Sequence, residues 1–168
     1  MWYVIQVMSG EETDVRNRLL KLIPKEVYDD IFIPRYVCTK RYEGNWHEES
    51  FVLFPGYIFV DVGDINKFRC EYNRNGFFYK ILGDGKDFVP ISKVEQHVLE
   101  ELMNEDRIIT ISKGFIEGDK IKVTEGPLSV FPATIKRVDR HKRIADIEVM
   151  MFGVPVKAKV GLEVIKKI

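Results

Sequence analysis

Phe54-Pro55-Gly56-Tyr57-Ile58-Phe59-Val60-Asp61-Val62 spells a kink followed by a strand. Pro55-Gly56 marks the turn, because proline fixes one backbone angle and glycine accepts the left-handed ones. The run after it is aromatic and β-branched, which suits a pleated surface. Strand side chains alternate between faces, so Tyr57 and Phe59 share one face and Ile58 and Val60 the other. Helices are expected over one face. The other is either covered by the rest of the chain or left as an apolar patch for a partner.

Working outward, Trp2 to Val7 is β-branched and aromatic apart from Gln6 and reads as a strand. Ser9-Gly10-Glu11-Glu12 fits a capping box, with Ser9 as the cap and Glu12 reaching back to it. Val15, Leu19, Leu22 and Ile23 then fall on one helical face, and Pro24 ends the helix. Ile31-Phe32-Ile33 is a short strand. Tyr36 to Tyr42 and Trp46 to Leu53 flank Glu43-Gly44-Asn45 as a hairpin would. A second helix starts at Asp64 with Ile65, Phe68 and Tyr72 inward, and Phe77 to Leu82 is a further strand. Gly83-Asp84-Gly85 is a turn. Ser92-Lys93-Val94-Glu95 is a second capping box, opening a helix with Val94, Val98, Leu99 and Leu102 on its apolar face. Residues 1–104 are thus expected to form an α+β domain on an antiparallel sheet.

Residues 105–115 lose this periodicity and are expected to be a linker. Across 116–168, Lys120 to Val123, Ala133 to Lys136, Ile144 to Met151 and Val156 to Val160 are short alternating strands. Gly118-Asp119, Gly126-Pro127, Asp139 to Lys142 and Gly153 separate them, at the spacing of a small β-barrel. An aromatic, Phe131 or Phe152, is expected in its core.

The 168 residues suffice for one medium domain or two small ones. With 45% hydrophobic and 31% charged residues the chain is ordinary globular material. No apolar run approaches the roughly 18 residues of a membrane helix. The N-terminus does not resemble a signal peptide. Lys and Arg balance Asp and Glu at 26 each, but unevenly along the chain. Residues 1–104 carry 13 basic against 17 acidic side chains, and residues 113–168 carry 12 against 7. Such a split suits two domains with separate partners, the basic one favouring a polyanion.

The chain lacks nucleophile-elbow and phosphate-loop motifs. His47, His97 and His141 are far apart, and none has a metal-ligand partner at short spacing. Cys38 and Cys70 are too few for a disulfide scaffold and are expected to be buried or half-buried apolar residues. Neither an enzyme nor a metal or other cofactor is indicated. The most informative charge run is Lys136-Arg137-Val138-Asp139-Arg140-His141-Lys142-Arg143. Lys136, Arg137, Arg140, His141, Lys142 and Arg143 fan out from a strand end and loop, an arrangement that suits RNA phosphates and unpaired bases. The bland reading is a solvated loop.

Two blocks carry a family resemblance. Trp2 to Val7 with Ser9 to Glu12, then Leu53 to Val60, resembles the N-terminal (NGN) domain of NusG-type transcription elongation factors. Glu117-Gly118-Asp119-Lys120-Ile121-Lys122-Val123-Thr124-Glu125-Gly126-Pro127-Leu128, with Ile135 to Val138 and Phe152-Gly153, resembles their KOW domain. The resemblance implies an NGN domain, a linker and an SH3-like small β-barrel. It also implies that Phe54, Pro55, Tyr57 and Phe59 bind the clamp helices of RNA polymerase. Arg18 and Arg74 fall at positions that face non-template DNA in relatives.

Arg140-His141-Lys142-Arg143 stands where a general factor has an acidic or mixed loop, and Val154-Pro155-Val156-Lys157 replaces a strand that usually carries Arg and Thr. In these departures the chain is similar to the specialised LoaP paralogues, antiterminators recruited by an RNA hairpin. A cytoplasmic monomer that joins polymerase to a structured leader RNA, without a membrane partner, is the expectation. A general elongation factor and a ribosome-associated KOW protein are the alternatives.

Overall fold

The computed structural model describes residues 1–83 and 87–167; Asp84 and Gly85 of the expected turn lie outside them. In chain order the elements are β1 (Trp2–Gln6), α1 (Glu12–Leu22), β2 (Asp30–Phe32), β3 (Arg35–Tyr42), β4 (Asn45–Val52), β5 (Tyr57–Asp61), α2 (Ile65–Arg74), β6 (Lys80–Ile81), α3 (Lys93–Leu102), β7 (Ile108–Ile109), β8 (Ser112–Glu117), β9 (Lys120–Glu125), β10 (Ile135–Asp139), β11 (Ile144–Met151) and β12 (Val154–Lys167). They form two compact units, Met1–Ile33 with Phe54–Gln96 and Pro34–Leu53 with His97–Ile168.

The first unit is built on a sheet of order β2-β5-β1-β6. β1 and β5 run antiparallel, with Val4 opposite Phe59 and Ile5 opposite Ile58. Tyr3, Ile5, Ile58 and Val60 pack with Val15 and Leu19 of α1 and with Phe68 and Tyr72 of α2, which is the expected helix-covered face. Leu22 departs from the expected stripe and is exposed, as is Val94 of α3.

The two capping boxes differ in outcome. At α3 the box forms: Ser92 Oγ accepts from the Glu95 N–H at 3.1 Å, and Glu95 accepts from the Ser92 N–H at 3.0 Å. At α1 it does not. The N-cap is Glu11, without a side-chain cap bond. Glu12 turns instead to Gly10, whose N–H it accepts at 3.0 Å, and to the Gly56 N–H at 2.6 Å. A carboxylate only 4% exposed finds stronger partners there than at the helix end.

In the second unit, β3 and β4 form the expected hairpin around Glu43-Gly44, both with positive φ as a two-residue primed turn requires. β7 joins β3 to complete a three-stranded sheet. Five strands in the order β10-β11-β12-β8-β9 form the other sheet. Among the described residues its edge strands β10 and β9 do not pair, so the expected SH3-like barrel takes the form of a curled sheet, a half-barrel. Leu128, Ile147, Val149, Met151, Val160 and Leu162 fill its core. Phe131 and Phe152 do not; both are only half-buried, and Phe152 (φ +54°) occupies the β11–β12 turn.

Two features differ from the expected layout. β8 occupies Ser112–Glu117, where the sequence lacks periodicity, because pairing with β9 and β12 supplies the order that pattern does not. The β3–β4 hairpin lies with the C-terminal strands. Gly161 of β12 makes this possible: a Cβ there would collide with the Val37 carbonyl oxygen and meet the Cys38 Cα at 3.2 Å.

Candidate functional site

The strand after Pro55-Gly56 builds the first candidate surface. Gly56 adopts φ +87°, and a Cβ there would stand 2.9 Å from the Val7 carbonyl oxygen. Only glycine suits both demands. With its N–H held by Glu12, Gly56 fixes the corner from which Tyr57 and Phe59 project. Phe54, Phe59, Phe32 and Trp2 form one ring cluster, with Phe59 stacked 6.0 Å from Phe54 and 5.5 Å from Phe32, and Trp2 edge-on to Phe59 at 6.1 Å.

This face is not the open patch that the sharper sequence reading anticipates. Phe54 is 2% exposed and Phe59 0%, whereas Pro55 is exposed and Tyr57 half-buried. The rings behave as core, and the accessible part of the corner is Pro55 and Tyr57.

The second candidate is the β10–β11 hairpin. Asp139 Oδ1 accepts the Lys142 N–H at 3.0 Å, which closes the four-residue turn 140–143. That bond, with the nearby positive charges of Lys142 and Arg137, holds the Asp139 carboxyl below the usual carboxylate range. Arg140, His141 and Lys142 are exposed on the turn. Arg143 is not free to join them. Its guanidinium lies 3.8 Å from the centroid of the Trp46 ring and 3.9 Å from Glu163 Oε1, and its carbonyl accepts the Leu162 N–H. Arg143 therefore anchors the turn.

A β-bulge between Ile135 and Arg137 leaves both Lys136 and Arg137 exposed. Both line a groove of about 450 Å³ on the outer sheet face, together with Asp146, Glu148, Lys157 and Lys159. Lys157 and Lys159 are absent from the sequence-based set. Their alternation along β12 is a weak signal that acquires meaning only when β12 is paired with β11.

Arg18 and Arg74 are not brought together by any contact. Arg18 donates to Tyr79 Oη at 2.7 Å and lies over the Phe77 and Tyr79 rings, while Arg74 pairs with Glu71 at 2.8 Å. Near Arg18, Phe78 is 93% exposed and lines a cavity of about 390 Å³ with Tyr72, Phe77 and Tyr79. Sequence reading places Phe78 in a strand and misses its exposure, because only Lys80–Ile81 pairs as β6.

Cys38 is buried, which pushes its thiol pKa up, and Cys70 is exposed, contrary to expectation. Among the described residues, no group of three or more His, Cys, Asp or Glu could hold a metal ion, and no helix is long and apolar enough to cross a membrane.

Residues 1–100 match a family model described as transcription termination factor NusG. The chain belongs to the NusG family. Among curated relatives, the transcription termination/antitermination protein NusG of Rickettsia typhi is 25% identical over 99% of this chain and 89% of its own length. That of Pasteurella multocida is 28% identical over 90% and 86%. That of Helicobacter pylori is also 28% identical, over 90% and 89%. A solved structure of Thermotoga maritima NusG, concerned with domain interaction, superposes with a TM-score of 0.52 at 20% identity, covering 95% of this chain and 92% of that one. The NusG-like fold is thus common to both: an N-terminal sheet with helices and a C-terminal curled sheet.

Proposed function

We propose that this NusG-type factor is a processive antitermination and elongation factor that joins RNA polymerase to a structured leader RNA in the cytoplasm. Pro55 and Tyr57 meet the polymerase clamp helices, with Phe54 and Phe59 as the packed floor beneath them. Lys136, Arg137, Arg140, His141 and Lys142 hold the RNA, and Arg143 holds their turn in place. Arg18 and Arg74 lie toward non-template DNA. No catalytic step is assigned to the chain. Polymerase conformations that bind it better are populated at the expense of paused ones. Each surface is small, and two linked contacts raise effective concentration where neither alone would give specificity.

One observation carries this reading: a turn stiffened by Asp139 and Arg143 presents Arg140, His141 and Lys142 outward, with Lys136 and Arg137 exposed on the adjoining strand. Preorganised cations bind a polyanion without first having to be ordered. The test is a titration of leader-RNA hairpins with the full chain and with the Lys136→Ala/Arg137→Ala/Arg140→Ala/Lys142→Ala variant at several salt concentrations. Weaker binding with a flatter salt dependence is expected, and unchanged affinity would remove the RNA role from this hairpin. A general elongation factor without hairpin specificity is the second reading. Polymerase occupancy across the genome of a deletion strain separates the two, since a specialist alters few operons and a generalist many.

A further inference from the structure

The groove on the outer face of β10, β11 and β12 is not uniformly basic. Lys136, Arg137, Lys157 and Lys159 surround two carboxylates, Asp146 and Glu148. Asp146 is neutralised by Lys159, whose Nζ lies 3.1 Å from its Oδ1. Glu148 stands directly across from Lys157 in the strand register and is half-buried, and its carboxylate makes no ion pair or hydrogen bond among the described residues. A groove serving only phosphates is weakened by such a group, because the carboxylate repels them. Its two oxygens accept hydrogen bonds and donate none.

An unpaired RNA base does offer donors on its Watson–Crick edge. Guanine presents N1–H and N2–H side by side, which matches both oxygens of one carboxylate. Cytosine offers one amino donor beside an acceptor, and adenine does the same. Uracil sets its single N–H between two carbonyls that a carboxylate repels. The groove's volume of about 450 Å³ leaves room for a splayed base, with Lys136, Arg137 and Lys157 beside it for the flanking phosphates.

We infer that this groove reads one unpaired guanine of the bound RNA, with Glu148 accepting from its N1–H and N2–H. The inference rests on the RNA reading proposed above and adds to it the source of base specificity. It is tested by binding the full chain to a pool of stem-loop RNAs with randomised six-nucleotide loops and sequencing the bound fraction. The parent protein should enrich guanine at one loop position. Glu148→Ala should lose that preference by on the order of tenfold, the effect of one good base contact, while binding the other loops as well as before or better. Glu148→Gln, which keeps the shape and one acceptor oxygen, should retain part of the preference. Lys157→Ala should weaken all loops alike.

If Glu148→Ala keeps the guanine preference, or raises affinity for every loop by the same factor, Glu148 is only a surface carboxylate and the inference falls. A parent protein that binds the pool with no base preference also overturns it, while leaving the RNA reading intact. Failure of the parent to bind any stem-loop above the level of an unstructured RNA would instead sink the RNA reading, and the inference with it.

Discussion

The aromatic corner and the basic hairpin are both turns that launch a strand, yet they place their informative side chains oppositely. After Pro55-Gly56, Phe59 points into a ring cluster and is fully buried. After Asp139, Arg140 and Lys142 point into solvent, and the side chain that turns back, Arg143, is the one that holds the structure. In each region, then, some residues shape the surface and others form it. Substitutions should divide along that line, moving either stability or binding but seldom both.

The largest effect is expected from Phe59→Ala. Removing a fully buried ring should cost about 3–5 kcal/mol, read by urea denaturation, and a loss below about 1 kcal/mol would show that the ring is not core. Next is Glu12→Ala, which strips the acceptor from Gly10 and the buried Gly56 N–H. About 2 kcal/mol should be lost, and Glu12→Gln, which keeps one acceptor oxygen, should recover part of it.

Trp46→Ala removes the ring under Arg143 and should cost about 1 kcal/mol, with a visible loss of order in the 140–143 turn by NMR. Arg140→Ala and Lys142→Ala should leave stability within about 0.5 kcal/mol. Each should nevertheless lower the salt slope of RNA binding by roughly one unit. If Arg143→Ala lowers that slope as much as Arg140→Ala does, the distinction between anchor and contact is broken.

The smallest effect concerns pH. The Asp139 carboxyl is held below its ordinary range by the Lys142 N–H. Its contribution to the turn is therefore present above the unfolded aspartate value of about 4 and disappears as the pH falls through the lower folded value. The Lys142 amide shift should follow that acid titration, and a midpoint at or above the ordinary value would contradict the bond.

Most secondary structure was legible in the sequence because it depends on local pattern. The α2 and α3 starts, the Glu43-Gly44 hairpin and the two-faced β5 all follow from caps, turn residues and alternation. What escaped was set by partners distant in the chain. Ser9 has the chemistry of a cap, but Glu12 is drawn to Gly56, forty-four residues away. β8 has no periodicity to show and is ordered by β9 and β12. The site was legible in the same proportion. Lys136 to Arg143 stand out as a charge run, while Lys157, Lys159 and Glu148 enter only once β10, β11 and β12 lie side by side. The sequence marks Arg143 as one cation among several, and only Trp46 and Glu163 distinguish its role.

The irregularity between Ile135 and Arg137 has a consequence for how this surface would change over time. In a regular strand two neighbouring cations aim at opposite sides, so half their charge is spent away from any ligand. Here one inserted position lets Lys136 and Arg137 line the same groove. A one-residue deletion at that point would remove a single charge from the composition, yet reverse the aim of whatever precedes it. Homologues that differ there by length alone are therefore expected to diverge in ligand choice more than homologues that exchange lysine for arginine.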